Sequence, residues 1–232
     1  MAISQQDKTR AIEYYNNAIA YMQTGNFSDG VLNFEKAADF GHPDAMQELT
    51  DLYLMPGVDR TAEHVISQLQ KFSKSEFEPP LVLIALGTIY MGANRAFDIK
   101  FGTVATIQGR EDEGSQLIEK AMIGKHKNSI DFSGYHIAHE ACRKYRKKLE
   151  TEIEAAMVDD TPYKELEDKV NQFLQVCLKA RHYASMAYQT ALERKDMQGI
   201  PSEMVDALLQ AKVLEDKRSD ADKEFADSAK KK

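Results

Sequence analysis

Two stretches far apart in this chain nearly repeat one another: G-V-L-N-F-E-K-A at 30–37 and G-S-Q-L-I-E-K-A at 114–121. Internal self-similarity constrains a fold more than any single motif does, because each copy must bury the same face against the same kind of neighbour. The wider pattern is consistent with this. Tyr21, Gly25, Gly30, Phe34 and Ala37 recur 32 residues later as Tyr53, Gly57, Ala62, Ile66 and Leu69. A third copy holds Leu86, Gly87 and Tyr90, then an insertion, then Gly114, Ile118 and Ala121. A weak fourth copy begins near Ser129.

The spacing predicts stacked antiparallel helix pairs. In the first two copies a Gly four residues past the Tyr suits a left-handed helix cap. The second helix of each pair carries a small residue at its first turn (Gly30, Ala62, Gly114). Glycine costs about 1 kcal/mol against alanine in a helix interior, so close approach of a partner helix is the expected compensation. The larger residues that follow (Phe34, Ile66, Ile118) then face the same seam. Between copies, Gly41 ends one helix and Pro43 starts the next, where a missing N–H costs nothing. Glu78-Pro79-Pro80 plays that part before the third copy.

These motifs resemble the tetratricopeptide class, and A-A-D-F-G-H-P-D-A-M at 37–46 with A-L-G-T-I-Y-M-G at 85–92 resembles its Sel-one-like relatives over about residues 11–140. The resemblance implies an all-α, helical-repeat solenoid over residues 5–135 and a non-catalytic adaptor or scaffold that binds a protein or peptide on its concave face. It also implies roles in bacterial signalling, secretion or host interaction, without choosing among them. Helical position then puts Tyr14, Asn17, Gln47, Asp51 and Thr88 on that face. Arg95 and Phe97 join them from the insertion at 92–109, since a long loop is often functional. Within the insertion, I-K-F-G-T-V-A-T-I alternates in a way that fits a short hairpin.

Residues 136–214 read differently, as a long-helix hairpin or bundle. Leu166, Val170, Phe173, Leu174, Cys177, Ala184, Ala187, Tyr188, Ala191 and Leu192 form one stripe close to heptad spacing. A break at Gly199-Ile200-Pro201 precedes a last helix expected to bury Met204, Leu208 and Leu209, with Val213. These helices either cap the solenoid or pair into a homodimer. Residues 215–232 are nearly all charged or small, ending Lys-Lys-Lys, and are expected to fray.

Charge and cysteine usage narrow the function classes. The net charge of −7 argues against a general nucleic-acid binder. Met-Ala-Ile-Ser-Gln-Gln-Asp-Lys at the start has no apolar core of a secretory signal. The apolar run at 81–93 is too short to span a bilayer. Cys142 and Cys177 lack paired spacing and read as reduced, semi-buried thiols, so a cytoplasmic location is expected. No phosphate-loop, dinucleotide or nucleophile-elbow motif occurs, and no cofactor is expected.

Two local clusters support rival readings. His136, His139 and Glu140 bring metal-ligand types onto one helix face, which fits a metal-assisted hydrolase if His126 or His182 is brought in. Arg143-Lys144-Tyr145-Arg146-Lys147-Lys148 is a dense basic run that fits an RNA-binding scaffold. The acids at 150, 152 and 154 can instead pair it internally as a solvated face.

Overall fold

A computed structural model describes residues 4–102, 104–124, 130–159, 161–198 and 200–231, without the side chains of 195–198. Ser129, His126 and Gly199 lie outside the described residues, so the start of the weak fourth copy, one candidate ligand and one break residue do as well. The fold is all-α. Its helices are α1 (Gln5–Gln23), α2 (Phe27–Asp39), α3 (Pro43–Leu52), α4 (Ala62–Ser73), α5 (Pro80–Tyr90), α6 (Arg95–Phe101), α7 (Glu111–Ile123), α8 (Phe132–Val158), α9 (Tyr163–Gln198) and α10 (Ser202–Lys230). The chain divides into an N-terminal unit, Met1–Tyr90 with Asn94–Lys127, and a C-terminal unit, Met91–Ala93 with Asn128–Lys232.

The punctuation of the N-terminal unit follows the sequence closely. Gly41 has φ of 87°, a left-handed conformation that a side chain would strain, and Pro43 opens α3 immediately after it. Side-chain caps start most of the other helices: Ser4 for α1, Asn26 for α2, Thr61 for α4 and Asn94 for α6. The principal packings are α1 on α2, α2 on α3, and α5 on α3, α4 and α7.

The seam positions are buried as expected: Gly30, Phe34 and Ala37, then Ala62, Ile66 and Leu69, then Gly114, Ile118 and Ala121. The helices do approach closely where glycine sits. A Cβ on Gly87 would lie 2.7 Å from the Gly114 carbonyl oxygen, and one on Gly30 would lie 2.5 Å from Met22 Sδ. Tyr53 and Tyr90 are buried, whereas Tyr21, their counterpart in the first copy, is exposed.

The apolar run at 81–93 forms the core helix α5, with every side chain of 82–90 buried. No single helix among the described residues is long and apolar enough to cross a membrane; α5 and α6 pass that test only as a pair bent by 60°.

The insertion does not form a hairpin. It folds as α6 and a 3-10 turn at Ala105–Ile107, and no strand occurs among the described residues. Phe97 and Phe101, one turn apart, pack at 4.8 Å between ring centroids and give α6 an apolar face. Lys100 then ties the segment down, donating to the carbonyls of Tyr53 (2.7 Å), Met55 (3.0 Å) and Val58 (2.8 Å).

In the C-terminal unit α9 packs against both α8 and α10. Its stripe holds at Leu166, Val170, Phe173, Ala184, Ala187 and Ala191, and two flanking partners bury Val176, Ala180 and Tyr183 besides. Leu192, placed on that stripe by spacing, is exposed. The face of α10 also differs from expectation. Val205 and Leu208 turn inward, while Met204, Leu209 and Val213 stay exposed. The segment expected to fray is helical: α10 continues to Lys230, with Glu215, Asp222, Ala226 and Ala229 buried along it.

Candidate functional site

The seven residues expected to contact a partner divide by accessibility. Asn17, Asp51 and Arg95 are exposed, and Tyr14 and Gln47 are half-buried. Tyr14 stacks on Phe40 at 5.7 Å, so part of its ring area is already used. Thr88 and Phe97 are fully buried and cannot touch a partner. Thr88 Oγ1 donates to the Ala85 carbonyl at 2.9 Å and accepts from Asn94 Nδ2 at 3.2 Å, which anchors the start of the insertion. Phe97 is core because it lies on the apolar face of α6, which packs inward.

The N-terminal unit has a groove elsewhere, of about 510 Å³, that none of those seven lines. Ala38, Met46 and Phe72 form its floor, the half-exposed Phe77 a wall, and the Lys71–Asp39 ion pair lies on its rim. An aromatic and a methionine beneath a charged rim suit an apolar anchor residue of a bound segment.

The densest chemistry lies in the C-terminal unit. Arg146 and His139 reach inward from α8, and Glu215 and Asp222 meet them from α10. Arg146 Nη1 donates to Glu215 Oε2 at 2.6 Å and Nη2 to Oε1 at 3.2 Å; Nη1 also lies 3.7 Å from Asp222 Oδ2. His139 Nε2 is 3.1 Å from Glu215 Oε1. All four residues are at most 6% exposed, so these are groups taken out of water and held largely by each other. Burial pushes the Glu215 carboxyl upward, but hydrogen bonds and charge from His139 and Arg146 outweigh it and hold the group at about 2. The Cys142 thiol beside them is pushed up by burial to about 12, and both cysteines are free.

The basic run is therefore not one solvated face. Arg146 is buried with Tyr145, while Arg143, Lys144, Lys147 and Lys148 are exposed. The expected internal pairing is present only in part. Lys148 is 4.0 Å from Glu152, but Glu152 also pairs with Lys169 of α9 at 2.7 Å, and Glu150 pairs with Arg218 of α10 at 3.2 Å. A cleft of about 480 Å³ includes Glu140, Arg143, Lys147 and Arg218 in its lining, and one of about 330 Å³ includes His139, Arg143 and Glu215.

At the edge of these clefts the structure gathers His136, His139 and Glu140. One donor atom from each lies within 4.8 Å of the others. Glu140 is held by Arg143 Nη1 at 2.9 Å, and the buried Nδ1 of His139 makes no hydrogen bond. His182 is exposed on α9 and does not join the group. Sequence reasoning found these three but missed Glu215 and Asp222. A signal existed: Leu208, Glu215, Asp222 and Ala229 share one face at heptad spacing. Compared with known proteins, the chain matches no family model, no curated protein and no solved structure.

Proposed function

We propose that this protein is a non-catalytic helical scaffold whose N-terminal unit binds a segment of another protein. The observation that carries this reading is the groove over Ala38, Met46 and Phe72. It is apolar on its floor and charged at its rim, which suits a peptide presenting one aromatic or aliphatic anchor between polar residues. The buried small residues at Gly30, Ala62 and Gly114 support the tetratricopeptide-like, antiparallel-pair reading of this unit. Asn17, Asp51 and Arg95 remain accessible for further contacts. The two free thiols, Cys142 buried and Cys177 half-buried, support a cytoplasmic setting.

Selection of peptides from a random display library on the full-length chain tests the reading. Selected peptides are expected to share an apolar anchor. Phe77→Ala should weaken a labelled selected peptide at least tenfold in fluorescence polarisation, while Arg218→Glu should not. No enriched anchor, or equal binding by the Phe77→Ala protein, would reject the groove as the site.

A second reading draws on the cleft whose lining includes Arg143, Lys147 and Arg218, and takes a polyanionic partner such as RNA. It requires affinity that falls steeply with salt and collapses on charge reversal at Lys147.

A further inference from the structure

The second and third turns of α8 present His136, His139 and Glu140 at positions i, i+3 and i+4, a spacing that puts all three side chains on one face. We propose that they bind one divalent transition-metal ion, Zn²⁺ by the chemistry of the set, with the fourth position left to water or a small anion. Two imidazoles and one carboxylate are a borderline donor set that favours Zn²⁺ over Ca²⁺ or Mg²⁺, which prefer all-oxygen surroundings.

The hydrogen bonding of His139 is the strongest support. The residue is 1% exposed, yet its Nδ1 has no hydrogen-bond partner. Buried polar atoms are almost always satisfied, so an orphan of this kind calls for an explanation. Its other nitrogen, Nε2, faces Glu215 Oε1 at 3.1 Å, and a carboxylate can only accept. The hydrogen facing Glu215 therefore sits on Nε2, which leaves Nδ1 as the nitrogen that can ligate a metal. Glu215 is itself fixed by Arg146, so ring orientation and tautomer are set from behind. A carboxylate on the far nitrogen is the usual outer support of a metal-bound histidine.

The front of the ring fits as well. His139 Nδ1 and Glu140 Oε1 are 3.4 Å apart. That is long for a hydrogen bond. It matches the edge of a tetrahedron around an ion with bonds of about 2.0–2.1 Å, roughly 3.4 Å. His136 completes the triangle within 4.8 Å, a gap that a small side-chain rotation closes. Arg143, which pairs with Glu140 at 2.9 Å, is half exposed and can swing into water when an ion takes its place. Glu140 edges the larger cleft and His139 the smaller, which gives the ion a path from solvent.

The test uses tag-free, full-length protein stripped with a chelator. It is titrated with Zn²⁺ by calorimetry and with Co²⁺ by visible absorption. One equivalent of Zn²⁺ should bind saturably, and Co²⁺ should give the intense visible bands of a four-coordinate site. His136→Ala and Glu140→Gln, both at exposed positions, should each weaken binding at least tenfold with an unchanged circular dichroism spectrum. His182→Ala should bind as the wild type does. Arg143→Ala should bind several-fold more tightly, because it frees the Glu140 carboxylate; a purely structural role for the cluster would not produce that gain. Absence of saturable uptake overturns the proposal. So does uptake that survives both ligand variants, or that His182→Ala reduces as much as they do.

Discussion

Replacing Arg146 with Met tests whether the C-terminal unit is held by its buried charges. The substitution keeps most of the side-chain volume but removes two hydrogen bonds to Glu215 and the cation beside Asp222. Glu215, 5% exposed, then loses its main partner, and Asp222, 6% exposed, is left with Arg218 at 3.3 Å. Breaking a buried pair in this way costs about 3–5 kcal/mol, because a charge is left without water or compensation. A second route gives a similar figure. Glu215 is held at about 2 against an ordinary 4.5. At about 1.4 kcal/mol per pH unit, that shift is worth about 3 kcal/mol, shared between Arg146 and His139. We expect a loss of about 3 kcal/mol, read as a roughly hundredfold drop in hydrogen-exchange protection of α8 and α10 amides at pH 7. The pH dependence has a definite sign. A carboxyl depressed in the folded state contributes its stability above the unfolded value near 4.5 and loses it as pH falls toward 2. Wild-type protection should therefore decline across that window, and the Arg146→Met protein, having lost most of the contribution, should show a shallower decline. Protection within threefold of wild type at pH 7, with an equally steep acid limb, would refute the reasoning.

The N-terminal unit yields four further predictions. Gly87→Ala should destabilise it by about 1–3 kcal/mol in urea unfolding, because the new methyl meets the Gly114 backbone at 2.7 Å. Gly30→Ala should be close to neutral, since the atom it meets is the flexible thioether of Met22 and the helix gains propensity. Lys100→Met leaves three carbonyls without their shared donor; it should cost about 1–3 kcal/mol and speed limited proteolysis within 95–109. Phe97→Ala should cost about 3–5 kcal/mol, whereas Arg95→Ala on the same helix should change stability by less than about 0.5 kcal/mol, which would confirm by calorimetry that only one of the two is a surface residue.

Much of the N-terminal unit was legible because its signals are local. A left-handed glycine followed by a proline marks a helix boundary whatever surrounds it, and Gly41 and Pro43 do so here. Small residues at the seam were legible for a related reason: glycine is costly inside a helix, so Gly30 and Gly114 announce a close neighbour without saying which one. The insertion misled because its β-branched residues spoke for strand. The Asn94 cap and the Phe97–Phe101 spacing, equally local, spoke for helix and prevailed once an apolar face had a core to meet.

The C-terminal unit shows where such reading stops. Hydropathy treats a carboxylate as solvent-facing, so a face made of Val205, Leu208, Glu215, Asp222 and Ala226 looks like no face at all, and the chain beyond residue 215 looks like a tail. What turns that face inward is Arg146, a cation 69 positions away on α8, itself part of a run that looks solvated. Each half of the network is implausible as core by itself; together they satisfy one another and carry α10 on to Lys230. The candidate metal ligands divide along the same line. His136, His139 and Glu140 stand within five residues and were visible at once, but their spacing alone fits many ordinary helix surfaces. The feature that singles out His139 is Glu215, 76 positions distant, which occupies one ring nitrogen and leaves the other buried without a hydrogen-bond partner. A local pattern proposed the ligands, and only the long-range pairing of α8 with α10 supplies a physical reason for an ion to sit there.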